Sequence, residues 1–173
     1  MANKQRNGEI WGIFNKSILE KKIVLKITEI GENIKNILEK KLIESFENKC
    51  IPEGFIKPNS ISIVSYSSGI INTDVIEFTV VFDCMICFPI EGQLIDCVSK
   101  TITKMGIHAE VKDGDVTPIQ IFIAKDHHVQ SDYYFNTIKE DMKIRIKVIG
   151  IRYELNDPYI SVIGKLVDSN KEL

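Results

Sequence analysis

The sequence predicts an α+β fold in which one helix packed on an antiparallel sheet is followed by a five-stranded β-barrel. Apolar residues repeat with a helical period in one segment, and with the period of two typical of strands in most others. Pro89 and Gly92 interrupt the pattern near the middle of the 173 residues, a length that accommodates two small domains. We predict a flexible tail over 1–9, a first domain over 10–89, a second domain over 90–168 and a tail over 169–173.

The helix of the first domain is predicted from residues that follow Gly31. Apolar side chains recur there at steps of three and four, the pattern of an amphipathic helix of about four to five turns. They are Ile34, Ile37, Leu38, Leu42 and Phe46. The helix should end near Cys50, because Pro52 and Gly54 follow.

Three segments with period two predict the sheet on which this helix packs. The first is 18–27, with Ile23, Leu25 and Ile27 on one face, and the second is SISIVSY at 60–66. The third has an apolar residue at every even position: Ile76, Phe78, Val80, Phe82, Cys84, Ile86 and Phe88. Such alternation predicts a half-buried antiparallel strand whose even face the helix covers.

The cysteines of the segment VVFDCMICFPIEGQLIDC at 80–97 raise the question of a metal or redox site. Residues three apart on a strand point to opposite sides, so Cys84 should face the core and Cys87 should face away. A zinc site needs about four ligands, and neither a second C-x-x-C nor an H-x₃-H follows. We therefore expect packed thiols and no metal site.

The second domain is predicted from five short strands with a longer link after the third. The segments are 92–102, 106–111, 118–124, 143–153 and 158–167, and the link is KDHHVQSDYYFNTIKEDM. Five strands in this arrangement give the outline of an OB barrel.

Composition and motifs exclude several classes of function. The net charge is −2, and neither half has the basic excess of a protein that grips nucleic acid by bulk electrostatics. No apolar run approaches the roughly 20 residues of a membrane span, and the polar N-terminus is not a signal peptide. We expect an intracellular protein in a reducing compartment. The sequence lacks a Gly-rich phosphate loop, an H-E-x-x-H and a nucleophile elbow, so we expect neither a catalytic site nor a cofactor.

Two features of the predicted barrel are candidate RNA contacts. Lys143, Arg145 and Lys147 alternate with apolar residues, which places three positive charges in a row that could follow a phosphate backbone. The alternative is a solvated barrel face. His108 lies on the outward face of the second barrel strand, where OB folds bind oligonucleotides, and could stack on a base. Phe122 is a rival for that role, although an aromatic residue there is more often in the core.

The long link and its neighbourhood add further polar candidates. Lys125, His127 and His128 begin the link, and we include them with Lys104 among the RNA-binding candidates. Adjacent histidines rarely meet one metal ion, so a polar loop near the RNA face is the better interpretation. Tyr133 and Tyr134 are either stacking residues or the cover of a barrel end.

Taken together, residues 13 to 168 resemble the stalk subunit of cellular and viral DNA-dependent RNA polymerases. The matching parts are KKIVLKITEIG, then NIKNILEKKLIESFENKC, then GFI at 54–56, the junction CFPIEGQLIDC, and GQLIDCVSKTITKMGIHAEV followed by PIQIFIAKDHH. The second half most resembles the versions of large DNA viruses. Order and spacing carry this resemblance, because no single motif is diagnostic.

The resemblance implies how each domain acts. Residues 10–89 would form a tip domain that docks on the core subunits of the polymerase near the clamp, through Gly54, Phe55, Ser68 and Gly69. For the loop 67–72 the alternative is plain turn chemistry, since Gly69 suits a positive φ. The OB domain would contact nascent RNA, weakly, or transcription factors. A small helical stalk partner is a further implied partner. The location would be the nucleus, or a viral factory or virion.

Two rival functions remain open at this point. One is a free-standing RNA-binding adaptor of translation or RNA decay, which should bind RNA alone with a steep salt dependence. The other is a scaffold that never touches nucleic acid. It predicts that Lys143, Arg145 and Lys147 can be replaced without a change in RNA crosslinking.

Overall fold

The computed structural model describes residues 12–128 and 132–167, apart from the side chains of 132–134. The predicted tails therefore lie outside the described residues. In chain order the elements are β1 Phe14–Lys26, a 3₁₀ turn Ile27–Glu29, α1 Ile34–Phe46, β2 Cys50–Ile51, β3 Gly54–Ile56, β4 Ser62–Tyr66, β5 Ile70–Asn72, β6 Val75–Cys87, β7 Leu94–Ile102, β8 Gly106–Asp113, β9 Val116–Ala124, a 3₁₀ turn Lys125–His128, α2 Asp132–Thr137, β10 Lys143–Arg152 and β11 Ile160–Leu166. No helix in these ranges is long and apolar enough to cross a membrane.

The N-terminal sheet, formed by β1 to β6, is built around β6. The strand order is β1-β6-β3-β2, and β4 and β5 also pair with β6. The even face of β6 is buried from Phe78 to Ile86, as the alternation predicts. Two predictions at strand ends are wrong: Phe88 lies beyond β6 with its ring edge-on to Tyr153, and Ile27 is half exposed in the 3₁₀ turn.

The helix α1 packs on this sheet through Leu38 and Leu42, which are fully buried. The side chain of Asn33 caps its N-terminus by accepting a hydrogen bond from the N–H of Asn36. The helix has 13 residues and is shorter than predicted, because the backbone becomes extended at Glu47.

The second half closes into the predicted five-stranded barrel. Around the barrel the strands follow the order β7-β8-β9-β11-β10, and β10 closes the ring by pairing with β7. All pairs are antiparallel except β9 with β11, which run parallel. This is the OB arrangement, so the predicted α+β class and OB barrel are confirmed. The long link after β9 contains a 3₁₀ turn and α2.

The barrel and the N-terminal sheet share one apolar cluster. It contains Phe14 and Phe55 from the sheet together with the inward side chains of the barrel. Backbone hydrogen bonds of 2.8 Å join Cys50 to both Asn156 and Asp157 of the loop between β10 and β11. The Nζ of Lys57 lies 2.6 Å from a carboxylate oxygen of Asp113 in β8. The barrel is therefore held against the edge of the sheet.

The cysteines are packed thiols on both sides of this junction. Cys84 lies in the cluster between α1 and the N-terminal sheet, whereas Cys50, Cys87 and Cys97 lie in the cluster shared with the barrel. Burial raises the pKa of Cys84 to about 11 and that of Cys87 to about 12. Cys84 and Cys87 thus face different layers, as predicted, although the side chain of Cys87 is also buried.

Candidate RNA-binding surface

The basic row on β10 points outward along the barrel. Lys143, Arg145 and Lys147 are exposed, because Ile144 and Ile146 take the inward positions between them. Arg145 is engaged by a neighbouring strand, with its Nε 2.6 Å and its Nη2 3.1 Å from the two carboxylate oxygens of Asp96. These hydrogen bonds hold the pKa of Asp96 below its ordinary value.

An aromatic pair lies on the outer wall of β8 and β9. His108 and Phe122 are directly opposite each other, and their ring centroids are 4.8 Å apart with the planes tilted by 46°. The expectation that Phe122 favours the core is wrong, because Ile121 and Ile123 occupy the inward positions on either side. A Cβ on Gly106 would lie 2.8 Å from the Phe122 ring, so the missing side chain at Gly106 leaves room for this ring. The two rings form a platform on the strands that OB folds use for oligonucleotides.

The β7–β8 hairpin beside this platform carries exposed apolar side chains. Ile102 is 38% exposed and Met105 is 76% exposed, and Lys104 between them is exposed too. The hydroxyl of Thr103 donates to the carbonyl of Gly106 at 2.9 Å, which fixes the turn. Sequence reasoning missed the two apolar residues, since nothing in the strand pattern shows that they lack a covering element.

The three RNA-binding candidates at the start of the long link differ in how far they are exposed to solvent. His127 is exposed and Lys125 is half-buried, but only 2% of the surface of His128 is accessible. The prediction of His128 as an RNA contact is therefore wrong. Its Nε2 accepts a hydrogen bond of 2.9 Å from the N–H of Leu166, so Nδ1 carries the proton that the Ala124 carbonyl accepts. Burial lowers the pKa of His128, which favours this neutral form.

The side chains of Tyr133 and Tyr134 lie outside the described residues. Their assignment as stacking residues or as the cover of a barrel end stays a prediction.

Two of the predicted docking residues are structural. Phe55 is fully buried, with its ring centroid 6.3 Å from that of Phe14, and Gly54 is buried beside it. Gly54 has a φ of 134°, and a Cβ there would lie 2.5 Å from the carbonyl oxygen of Cys87. Both residues are buried, so the prediction of direct docking contacts by Gly54 and Phe55 is wrong.

The other docking candidates lie in an exposed loop that leads to β5. Ser68 and Gly69 are exposed, and the next two residues, Ile70 and Ile71, are 65% and 72% exposed. Gly69 does not have a positive φ, contrary to the turn interpretation; a Cβ there would collide with the side chain of Ile76. The predicted docking loop 67–72 contains Ile70 and Ile71, but sequence reasoning did not single them out, because two adjacent apolar residues carry no period.

Comparisons with known proteins find similar chains among subunits of RNA polymerases. No family model matches the chain. It is 27% identical to the DNA-directed RNA polymerase II subunit RPB7 of Glycine max, over 87% of this chain and 90% of that protein. It is also 27% identical to DNA-directed RNA polymerase II subunit 7 of Arabidopsis thaliana, over 85% and 94%. A protein of Acanthamoeba polyphaga mimivirus named as a DNA-directed RNA polymerase subunit, L376, is 27% identical over 87% and 80%. The resemblance predicted from the sequence is thereby confirmed: over most of its length, this chain is similar to the seventh subunit of RNA polymerase II and to a viral counterpart.

Proposed function

We propose that this chain is a non-catalytic subunit of a DNA-directed RNA polymerase, which docks on the core enzyme through its N-terminal sheet and contacts nascent RNA or transcription factors through its barrel. The observation that supports this most is the similarity to subunits of that enzyme over 85% to 87% of the chain, which spans both the sheet and the barrel. Nucleotidyl transfer would then be carried out by other subunits.

The docking surface we propose is the end of the N-terminal sheet at β4 and β5. Val64, Tyr66, Ile70 and Ile71 are exposed there, with Ser68 in the loop between them. Clusters of exposed apolar side chains on one part of a monomer mark protein interaction sites. The polymerase core subunits are the partners that the similarity favours.

The proposed RNA contact is the platform of His108 and Phe122 together with the basic residues of β10, which β7 and β11 separate from the two platform strands. Stacking on aromatic rings binds single strands without sequence preference. Because the net charge of the chain is −2, we expect weak RNA binding by the isolated protein. Docking on a polymerase would compensate for this weak binding, because it would hold the barrel near the emerging transcript and raise the effective concentration of RNA.

Recovery of the polymerase on a tagged chain tests the docking surface. The double variant Ile70→Asp/Ile71→Asp should lose the two largest polymerase subunits, whereas Leu155→Asp, a change of an equally exposed residue in a barrel loop, should retain them. Circular dichroism checks that both variants are folded. Equal recovery on both variants would contradict the proposed surface.

The same experiment separates the rival functions. Recovery of ribosomal or RNA-decay proteins in place of polymerase subunits would favour the free-standing adaptor. RNA crosslinking to the polymerase-bound chain that is unchanged by Phe122→Ala, His108→Ala and Lys143→Ala would favour the scaffold. A small helical partner would be recovered as an additional chain in near-equal amount.

A further inference from the structure

Two lysines face each other on the outer wall of the barrel. Lys147 of β10 and Lys165 of β11 are directly paired in the antiparallel register. Both are exposed, since the residues on either side of each point inward. Directly opposite residues on antiparallel strands have Cβ atoms about 5 Å apart, so the two ammonium groups can converge on one small anion.

The positive charges of this pair are not balanced by neighbouring carboxylates, unlike those of Lys16 and Arg145 among the described residues. Like charges in directly opposite positions destabilise a sheet. Among the described residues neither ammonium has a carboxylate partner. The nearest acidic residue on the neighbouring strand β7 is Asp96, and both of its oxygens are taken by Arg145. On β7 the residue opposite Lys147 is Leu94, which offers no charge.

The position of the pair relates it to the aromatic platform. Ile163 of β11 is paired with Phe122 of β9, and Lys165 follows two residues later on the same outward face. Two residues of strand span roughly 7 Å. Ile163 is 46% exposed and lies between the platform and the lysines. A short single-stranded segment can therefore reach from the rings to the lysine pair across one continuous wall.

We propose that Lys147 and Lys165 together bind a backbone phosphate of single-stranded RNA whose adjoining bases stack on His108 and Phe122. This proposal rests on the RNA contact proposed above and extends it to strands β10 and β11. A phosphate accepts hydrogen bonds from two ammonium groups at once and cancels their repulsion. The RNA would run obliquely around the barrel, from β9 across β11 to β10.

The test is an NMR titration of the full-length labelled chain with oligouridine of about 12 nucleotides, within the site sizes of OB folds. Backbone amide shifts report on the lysine pair and on the platform separately, and they follow even weak binding. The titration is repeated at several salt concentrations. The variants are Lys147→Gln/Lys165→Gln and, as a control with the same change of charge, Lys35→Gln/Lys40→Gln on the exposed side of α1.

In the wild-type chain, we expect the RNA to change the backbone amide shifts of Lys147, Lys165 and Phe122. Relative to the control, the lysine-pair variant should bind roughly fivefold to tenfold more weakly at low salt, with a salt slope lower by about 0.7, the value for one phosphate of a single strand. Phe122→Ala should weaken binding and leave the slope unchanged, because it removes stacking and no charge.

Three results would overturn the proposal. In the first, RNA changes amide shifts at the platform alone, with the same salt dependence of binding for both double variants. That result would refute the phosphate site at the lysines but would leave the proposed RNA contact of the platform in place. If an oligoglutamate peptide bound at the two lysines as tightly as oligouridine, the pair would be a binding site for acidic proteins and not a specific site for RNA phosphate. Absence of any shift at low salt would overturn the RNA contact as well, while the polymerase docking would stand on the recovery experiment.

Discussion

Replacement of Glu47 should destabilise the N-terminal sheet more than any other change of a single carboxylate described above. Its carboxylate is buried directly after α1 and accepts three backbone hydrogen bonds. One oxygen lies 2.8 Å from the nitrogen of Asn59, and the other lies 3.1 Å from the nitrogens of both Ser60 and Ile61. The side chain thus holds the loop before β4 against the end of the helix.

The magnitude follows from the burial of the three donors. In Glu47→Ala the N–H of Ile61 stays buried and unpaired, which costs about 1–3 kcal/mol. The N–H groups of Asn59 and Ser60 are partly buried and can regain water, so each costs about 0.5–1 kcal/mol. The sum is roughly 2–5 kcal/mol of the free energy of unfolding. Glu47→Gln keeps one carbonyl oxygen for Ser60 and Ile61 but turns an NH₂ towards Asn59, and should cost about half as much.

Urea unfolding followed by circular dichroism measures these differences from the midpoint and the m-value. Glu44→Gln is the matched control, because Glu44 lies one turn earlier on α1 with an exposed side chain. Amide hydrogen exchange at Asn59, Ser60 and Ile61 should accelerate in the Glu47 variants and stay unchanged in the control. If Glu47→Ala unfolds within about 0.5 kcal/mol of the control, the loop does not depend on this carboxylate and the reasoning is refuted.

Two further predictions concern stability. Burial lowers the pKa of His128 below its value in the unfolded chain, so its contribution to the free energy of unfolding should be complete above about pH 6.5 and should be lost as the pH falls through the folded-state pKa. His128→Gln should therefore flatten the acid branch of a curve of stability against pH, whereas the exposed control His127→Gln should not. Equal curves for the two variants would contradict the buried neutral ring. Gly54→Ala should lower the free energy of unfolding by roughly 2–4 kcal/mol, because the φ of residue 54 is unfavourable for alanine and the new Cβ would meet the carbonyl of Cys87. The control is Gly150→Ala, where the new Cβ would lie 3.9 Å from its nearest neighbour. Equal thermal midpoints for the two variants would contradict the close approach at Gly54.

Much of the fold could be predicted because its strands are buried on one face. The even positions of β6 are apolar where α1 covers them, and this alternation is a local signal in the sequence. The five strands of the barrel and the link after the third are likewise visible as changes of period. The end of α1 was predicted too late, because the residue that ends it, Glu47, acts through a loop twelve to fourteen residues away.

The candidate site could be predicted only in part. Alternation placed the basic row on β10 correctly, and the same rule applied to PIQIFIA would have placed Phe122 outside, since Ile119, Ile121 and Ile123 take the inward positions. No local pattern distinguishes His127 from His128, or shows that Phe55 is buried under the barrel, because distant strands decide both. The pairing of Lys147 with Lys165 also depends on the register of β10 and β11.

The measurement that tests the central claim most directly is quantitative mass spectrometry of the native RNA polymerase, purified through its largest subunit from the source of this chain. Our account predicts that the chain is present at nearly one copy per enzyme and stays bound at moderate salt. Active polymerase that contains no trace of the chain would contradict the assignment, whatever RNA the isolated barrel binds.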